Sequence, residues 1–368
     1  MVHKPGTLPR GELGRGLKEK VGLICCGARA SPITKEIYRL QHPTGQRRTG
    51  NAGLHLVLDG GWPVNVLVRE PHTEKSPYTL SKSHILKRGE PVCSYTQVPA
   101  PKWYAKKTSD GTLMANVLMQ EGKDTLIAAA WNECVYHQSG VPCKFCGLAQ
   151  DGTVKKPGQI AETVLAALQE KPSSVLHLTG GNTASRDRGA RRYLEYVEAV
   201  RRVSGVPVTI ELSPPGPGWL EKLVDAGVAG FSINIEVWDE KKRRTICPGK
   251  STITKKEYDA AWRDGARLLG DFKVSSVLIV GLDSVESIKN GIGELVSLKV
   301  KPVLIPFKPM RGSALEAELP PTPEQVTELS VYAAEAMRNA GARACEMVGC
   351  ERCGACTVEK DFLEMMGC

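Results

Sequence analysis

The sequence predicts an α/β chain: a partial (β/α)6 barrel of TIM-like build, with an N-terminal extension and a short cysteine-rich metal-binding tail. Three observations carry the prediction. From about residue 123 to 340, short apolar runs alternate with amphipathic stretches of helical period. The runs are apolar on both faces, as strands are when helices cover one side and a packed interior the other. The alternation repeats six times, two units short of a closed barrel.

Each element follows from the local pattern. Residues 1–122 lack the alternation and carry Pro- and Gly-punctuated pieces around Gly60, Gly61, Trp62 and Pro63. Short β-like runs at 54–58 and 64–68 predict a small sheet in this extension, whose role the sequence does not reveal. The barrel segment, 123–340, pairs strand 125–131 with helix 159–169, then 175–178 with 190–203, and 208–212 with 218–226. It continues with 230–235 and 255–269, 274–280 and 287–298, and 303–307 and 323–339. The last segment, 341–368, is too short to bury a core of its own and is dominated by cysteine, so a bound metal could order it.

Composition excludes several classes. With 41% hydrophobic and 24% charged residues, the 368-residue chain can bury a sizeable core. No apolar run approaches the ~20 residues that span a bilayer, and the polar, basic start lacks a signal-peptide core. The expectation is a soluble, cytoplasmic protein with no membrane partner. The net charge of +9 is scattered, and aromatics are only 5%, which argues against nucleic acid and leaves a basic face for an acidic protein.

Twelve cysteines are the informative excess, and in a reducing compartment tight groups of them read as metal ligands. Cys134, Cys143 and Cys146 follow the first barrel strand with spacing C-x8-C-x2-C. Three thiolates on a four-site centre leave one position open, and the loop lies at the barrel end where active sites are built. A structural zinc knuckle borrowing His137 is the alternative. In the tail, Cys345, Cys350, Cys353 and Cys356 give C-x4-C-x2-C-x2-C, enough for a complete [4Fe-4S] cluster or for zinc, with terminal Cys368 a fifth candidate. Cys25 and Cys26 read as buried structural thiols, and no role is read for Cys93 or Cys247.

The three-cysteine loop, with Phe145 before its last ligand, resembles the radical SAM superfamily, although the usual spacing there is C-x3-C-x2-C. Three further stretches are similar to the family's in the same order. Gly180, Gly181 and Asn182 resemble its "GGE" turn, with Asn182 in place of the acid. Asn234 and Glu236, followed by Arg243 and Arg244, resemble the biotin synthase and lipoyl synthase branch, and Gly281 to Glu286 is similar to the adenine-side segment. Phe307 resembles the edge that packs on adenine. The resemblance implies that Cys134, Cys143 and Cys146 hold a [4Fe-4S] cluster whose fourth iron takes S-adenosylmethionine. Gly180, Gly181, Asn182, Asn234, Glu236, Arg243, Arg244 and Phe307 would contact that cofactor. Taken singly, the glycines read as a βα turn, Glu236 as a strand-end acid and the arginines as a solvated face.

The implied reaction is reductive cleavage of S-adenosylmethionine to a 5′-deoxyadenosyl radical that abstracts hydrogen from substrate. Sulfur insertion as in biotin and lipoyl formation leads the subtypes, with the tail as a probable second [4Fe-4S] cluster. Radical rearrangement, cofactor assembly, or a non-catalytic iron–sulfur or zinc protein are the competing readings. The implied partners are a small-molecule or carrier-protein-bound substrate and a ferredoxin- or flavodoxin-type electron donor.

Overall fold

The computed structural model of the protein describes residues 14–44, 52–148 and 150–368. The N-terminal part is α1 (Arg15–Cys26), α2 (Pro32–Gln41) and five antiparallel strands: β1 (Leu54–Leu58), β2 (Trp62–Val66), β3 (Tyr78–Leu80), β4 (His84–Lys87) and β5 (Glu90–Gln97). The sheet order is β2-β1-β5-β4-β3. The strand run expected at 64–68 is therefore shifted to 62–66, because β2 pairs with β1 across the tight Asp59–Gly61 turn, in register Leu58 to Trp62. Helix α2 starts with a Ser31/Thr34 capping box ahead of Pro32, which fixes its first turn.

The second sheet has seven strands in the order β12-β11-β10-β9-β8-β7-β6. These are β6 (Met119–Glu121), β7 (Thr125–Trp131), β8 (Val175–Gly180), β9 (Val208–Glu211), β10 (Val228–Ser232), β11 (Val274–Val280) and β12 (Lys301–Pro306). Six run parallel, in sequence order, and β6 adds one antiparallel edge through the Glu121–Thr125 pair. Between and after them come α3 (Val135–Gln138), α4 (Pro157–Glu170), α5 (Ala190–Arg201), α6 (Trp219–Asp225), α7 (Glu240–Ile246), α8 (Lys255–Leu269), α9 (Val285–Ser297), α10 (Pro323–Asn339) and α11 (Glu359–Met365). Side-chain caps from Thr254, Ser284 and Thr322 start α8, α9 and α10. This is the predicted partial (β/α)6 barrel.

Residues 343–357 run beneath the N-terminal ends of the barrel strands. Lys273, just before β11, donates to the Glu346 carbonyl at 2.8 Å, and Lys301, first in β12, pairs with Glu351 at 2.6 Å. Arg352 reaches Asp124, ahead of β7, at 2.8 Å. The tail thus floors the barrel. The N-terminal part packs against both: α1 lies on α10, Asn65 donates its backbone N–H to Ala355 O at 2.8 Å, and fully buried Lys20 pairs with Asp361. At the opposite end, Arg311 N–H donates to Glu70 at 2.7 Å. Among the described residues no helix is long and apolar enough to cross a membrane.

Candidate functional site

The barrel encloses a cavity of about 370 Å³. Strand alternation sends Ile127, Ala129 and Trp131 of β7, His177 and Thr179 of β8, and Val277 and Ile279 of β11 into it. Its ceiling holds Cys134, Cys143 and Cys146, and its floor holds Cys353 and Cys356. The three cysteines of the first group and two of the tail group therefore face one chamber.

The ceiling loop is locked to the turn after β8. Val135 N–H donates to Asn182 O at 2.8 Å, and Trp131 Nε1 donates to Gly181 O at 2.7 Å. A Cβ on Gly181 would lie 1.9 Å from Glu133 O and 2.7 Å from Cys134 Cβ, so only glycine fits beside the first ligand. Within the loop, Cys146 N–H donates to Cys143 O at 3.0 Å. Burial pushes the Cys146 thiol up to about 11, and the nearby Cys143 and Cys134 add to that. Among the described residues no group of three His, Cys, Asp or Glu side chains closes up around a single ion, for which Zn–S bonds of ~2.3 Å would hold the sulfurs tightly together.

Beside the ceiling is a small polar recess lined by Gly180, Gly181, Asn182, Arg188, Ser213, Asn234 and Lys250. Asn182 Oδ1, Ser213 Oγ and Glu236 Oε2 are buried there or next to it without a hydrogen-bond partner. A buried polar atom left unpaired is costly, so such a group marks room for a ligand that completes it. A cofactor bearing an amine, a carboxylate and ribose hydroxyls fits this donor and acceptor set, and the three ceiling thiols fit an iron–sulfur cluster. Asn234 Nδ2 donates to Glu211 at 3.0 Å, while its Oδ1 accepts from Val277 N–H at 3.1 Å, which fixes the amide.

Glu236 sits just beyond β10 with φ +65°, a left-handed backbone that a non-glycine residue adopts at a cost of ~1–3 kcal/mol. Backbone bonds to Val277 and Ile279 on either side hold it there. Lys250, in the loop before α8, pairs with its carboxylate at 2.6 Å. Burial works against the Lys250 charge, yet Glu236, Tyr258 and Cys143 together hold its proton well above the usual range. Burial pushes the Glu236 carboxyl up, with Lys250 opposing.

Of the eight residues expected around the cofactor, the structure brings Gly180, Gly181, Asn182, Asn234, Glu236 and Phe307 to the cavity wall. It does not bring the arginines. Arg244 is exposed and paired with Glu240 one turn away, and Arg243 is buried with its guanidinium 5.6 Å from the Tyr258 ring centroid, outside the lining. The cationic side chains that line the recess are Arg188 and Lys250. A strand-end acid aimed inward needs a counter-charge, and that requirement was the available signal for Lys250. Cys247 is buried close to Cys143. In the tail, Cys345 is exposed and away from the chamber, and the Cys350 side chain lies outside the described residues.

The chain is 21% identical over 307 residues to the bacteriochlorophyllide c C-7(1)-hydroxylase of Chlorobaculum limnaeum, spanning 76% of each. Among solved structures, it is similar to methylornithine synthase (16% identity, TM-score 0.46, 59% of this chain and 69% of that one). It is also similar to a radical SAM methyltransferase from Sphaerobacter thermophilus (17%, TM-score 0.46, 64% and 69%). The Radical SAM superfamily model matches residues 133–287, from the ceiling loop to the start of α9. That segment, which carries the ceiling loop, its recess and strands β8 to β11, is similar to the radical SAM superfamily.

Proposed function

We propose that this radical SAM enzyme removes a hydrogen atom from an unactivated carbon of a substrate held in the chamber between ceiling and floor. The observation that carries the reading is the convergence of three ceiling thiols and two unpartnered polar atoms, Asn182 Oδ1 and Glu236 Oε2, on one cavity. Cys134, Cys143 and Cys146 would hold a [4Fe-4S] cluster, and the recess beside them S-adenosylmethionine. The bound pair supplies one electron and, by splitting the sulfonium, a carbon-centred radical of the nucleoside.

The chain's own residues bind, orient and exclude water. Lys250 offers its ammonium to a carboxylate, and Asn182 Oδ1 accepts from an amine beside the close backbone of Gly181. Glu236 Oε2 accepts from a ribose hydroxyl, and Asn234, already fixed by Glu211, braces the same wall. Phe307, Ile279 and Ile305 give that wall an apolar surface from which water is excluded. An acidic ferredoxin- or flavodoxin-type donor suits the net positive chain, and so many thiols suit a reducing compartment.

The test is anaerobic. Protein reconstituted with iron and sulfide, reduced and given S-adenosylmethionine, should form 5′-deoxyadenosine, and Cys143→Ala should form none. A fully loaded, reduced protein that yields no 5′-deoxyadenosine and binds no S-adenosylmethionine overturns the reading.

Sulfur insertion at the same carbon is the second reading, favoured because Cys353 and Cys356 line the same chamber. It requires acid-labile sulfide to leave the protein as product forms. An unchanged sulfide content after several equivalents of product overturns it.

A further inference from the structure

The ceiling loop is tied down on two sides. Lys144, between Cys143 and Cys146, donates its N–H to Ile246 O, at the end of α7, at 2.8 Å. Its carbonyl accepts from Leu315 N–H, in the segment beyond β12, at 3.2 Å. Gly147, directly after Cys146, lies against that same segment: a Cβ there would be 2.6 Å from Met310 Cβ and 3.3 Å from Arg311 O. Residues 309–315 therefore form a strap along one flank of the cysteine loop, and Met310 within it lines the chamber.

The strap is neither helix nor strand, so its position depends on what grips it from outside. That grip comes from the N-terminal part. Arg311 N–H donates to the Glu70 carboxylate at 2.7 Å, Arg311 Nη2 donates to Arg69 O at 3.4 Å, and His72 Nδ1 donates to Pro309 O at 3.3 Å. Glu70 is 3% exposed, and a buried carboxylate is tolerated only where it is paired. It is also held from behind. Its carbonyl accepts from Thr73 N–H at 3.0 Å and from Thr73 Oγ1 at 2.7 Å, and the Arg69 guanidinium lies 4.8 Å from the Tyr38 ring centroid on α2.

We infer that the N-terminal part braces the cysteine loop, with Glu70 as a positioning residue that fixes Cys143 and Cys146 through Arg311 and the strap. Glu70 does not line the chamber and acts only through the backbone it holds. A reacting group displaced by about 1 Å loses rate steeply, so a brace outside the chamber still bears on chemistry inside it. Only that catalytic consequence rests on the reaction proposed above; the brace is measured without it.

The test is alkylation of the full-length apoprotein with iodoacetamide, read cysteine by cysteine by mass spectrometry. Glu70→Ala leaves Arg311 N–H without its charged acceptor, and Cys143 and Cys146 should then react about tenfold faster. Cys93, in β5, and Cys356, in the floor, should keep their parent rates, because Lys20 and Asp361 still fasten the N-terminal part elsewhere. Glu70→Gln retains an acceptor oxygen and should restore the parent pattern. Unchanged rates at Cys143 and Cys146, or a rise shared equally by Cys93 and Cys356, overturn the inference. If Glu70→Ala fails to fold, Leu315→Pro cuts the strap at its other end by removing the N–H that Lys144 O accepts. It should raise the same two rates with Glu70 intact, and parent rates in that folded variant overturn the inference. A brace upheld in a protein that, fully loaded and reduced, forms no 5′-deoxyadenosine overturns the reaction and leaves the brace standing. Parent protein that forms 5′-deoxyadenosine, while Glu70→Ala changes neither thiol rate, overturns the brace alone.

Discussion

Lys250 shows how a residue can line the recess, paired with a buried acid, and still read as ordinary in the sequence. It lies in a basic, loop-forming stretch, where a lysine is expected to be solvated, yet it is buried against Glu236. The cysteines of the ceiling, Gly181 and the inward strand residues Asn234 and Glu236 were legible because spacing and β-alternation place them before any contact is known. Arg243 and Arg244 were not, since helix α7 turns one out to solvent and the other onto Tyr258. Removing Lys250 leaves a buried carboxylate without its counter-charge. Lys250→Met should therefore cost about 3–5 kcal/mol, measured by urea unfolding of the apoprotein. The Glu236 pKa is already raised by burial, so in the variant it rises further and the carboxyl is neutral at low pH. The deficit should consequently grow as pH rises, and a deficit that is flat with pH would contradict the pairing. Binding of S-adenosylmethionine should weaken in parallel.

At the level of elements, the six βα units were legible because helical and strand periods differ sharply and the barrel strands are apolar on both sides. The N-terminal helix α1 was not read as a helix, because Glu19 and Lys20 interrupt its apolar pattern although both are buried. Their partners, Tyr78 for Glu19 and Asp361 for Lys20, are remote in the chain. Helix α11 carries a comparable buried charge. Burial pushes Glu359 up to about 7, against hydrogen bonds from its own backbone, Ser330 and Thr357. A raised folded-state pKa means the folded state holds the proton more tightly. Its stabilising contribution is complete below about 4.5 and is lost as pH climbs through 7. Between those limits the difference is roughly 3 kcal/mol at 1.36 kcal/mol per unit. Glu359→Gln should abolish this dependence, so its advantage over the parent protein should be larger at pH 8 than at pH 5. Thermal unfolding across that range checks it.

For the molecule as a whole, the buried Lys20–Asp361 pair fastens the N-terminal part to the segment that follows the floor. Lys20→Met alone should destabilise the protein by about 3–5 kcal/mol, while Lys20→Met with Asp361→Leu should recover most of that, since an apolar pair replaces an ionic one at little cost. Near-additive losses in the two single variants and the double, followed by denaturant titration, would show that the two groups do not act on each other. What the sequence could not disclose was this folding-back, because no local pattern says which end of a barrel a cysteine-rich tail will cover. Its placement bears on how the protein is made. The ceiling loop leaves the ribosome long before the residues that close the barrel from below, so during synthesis the ligands of the upper centre stand in an open trough. Whatever those thiols take up can reach them from below before the last turns of chain dock, and only from the other side afterwards.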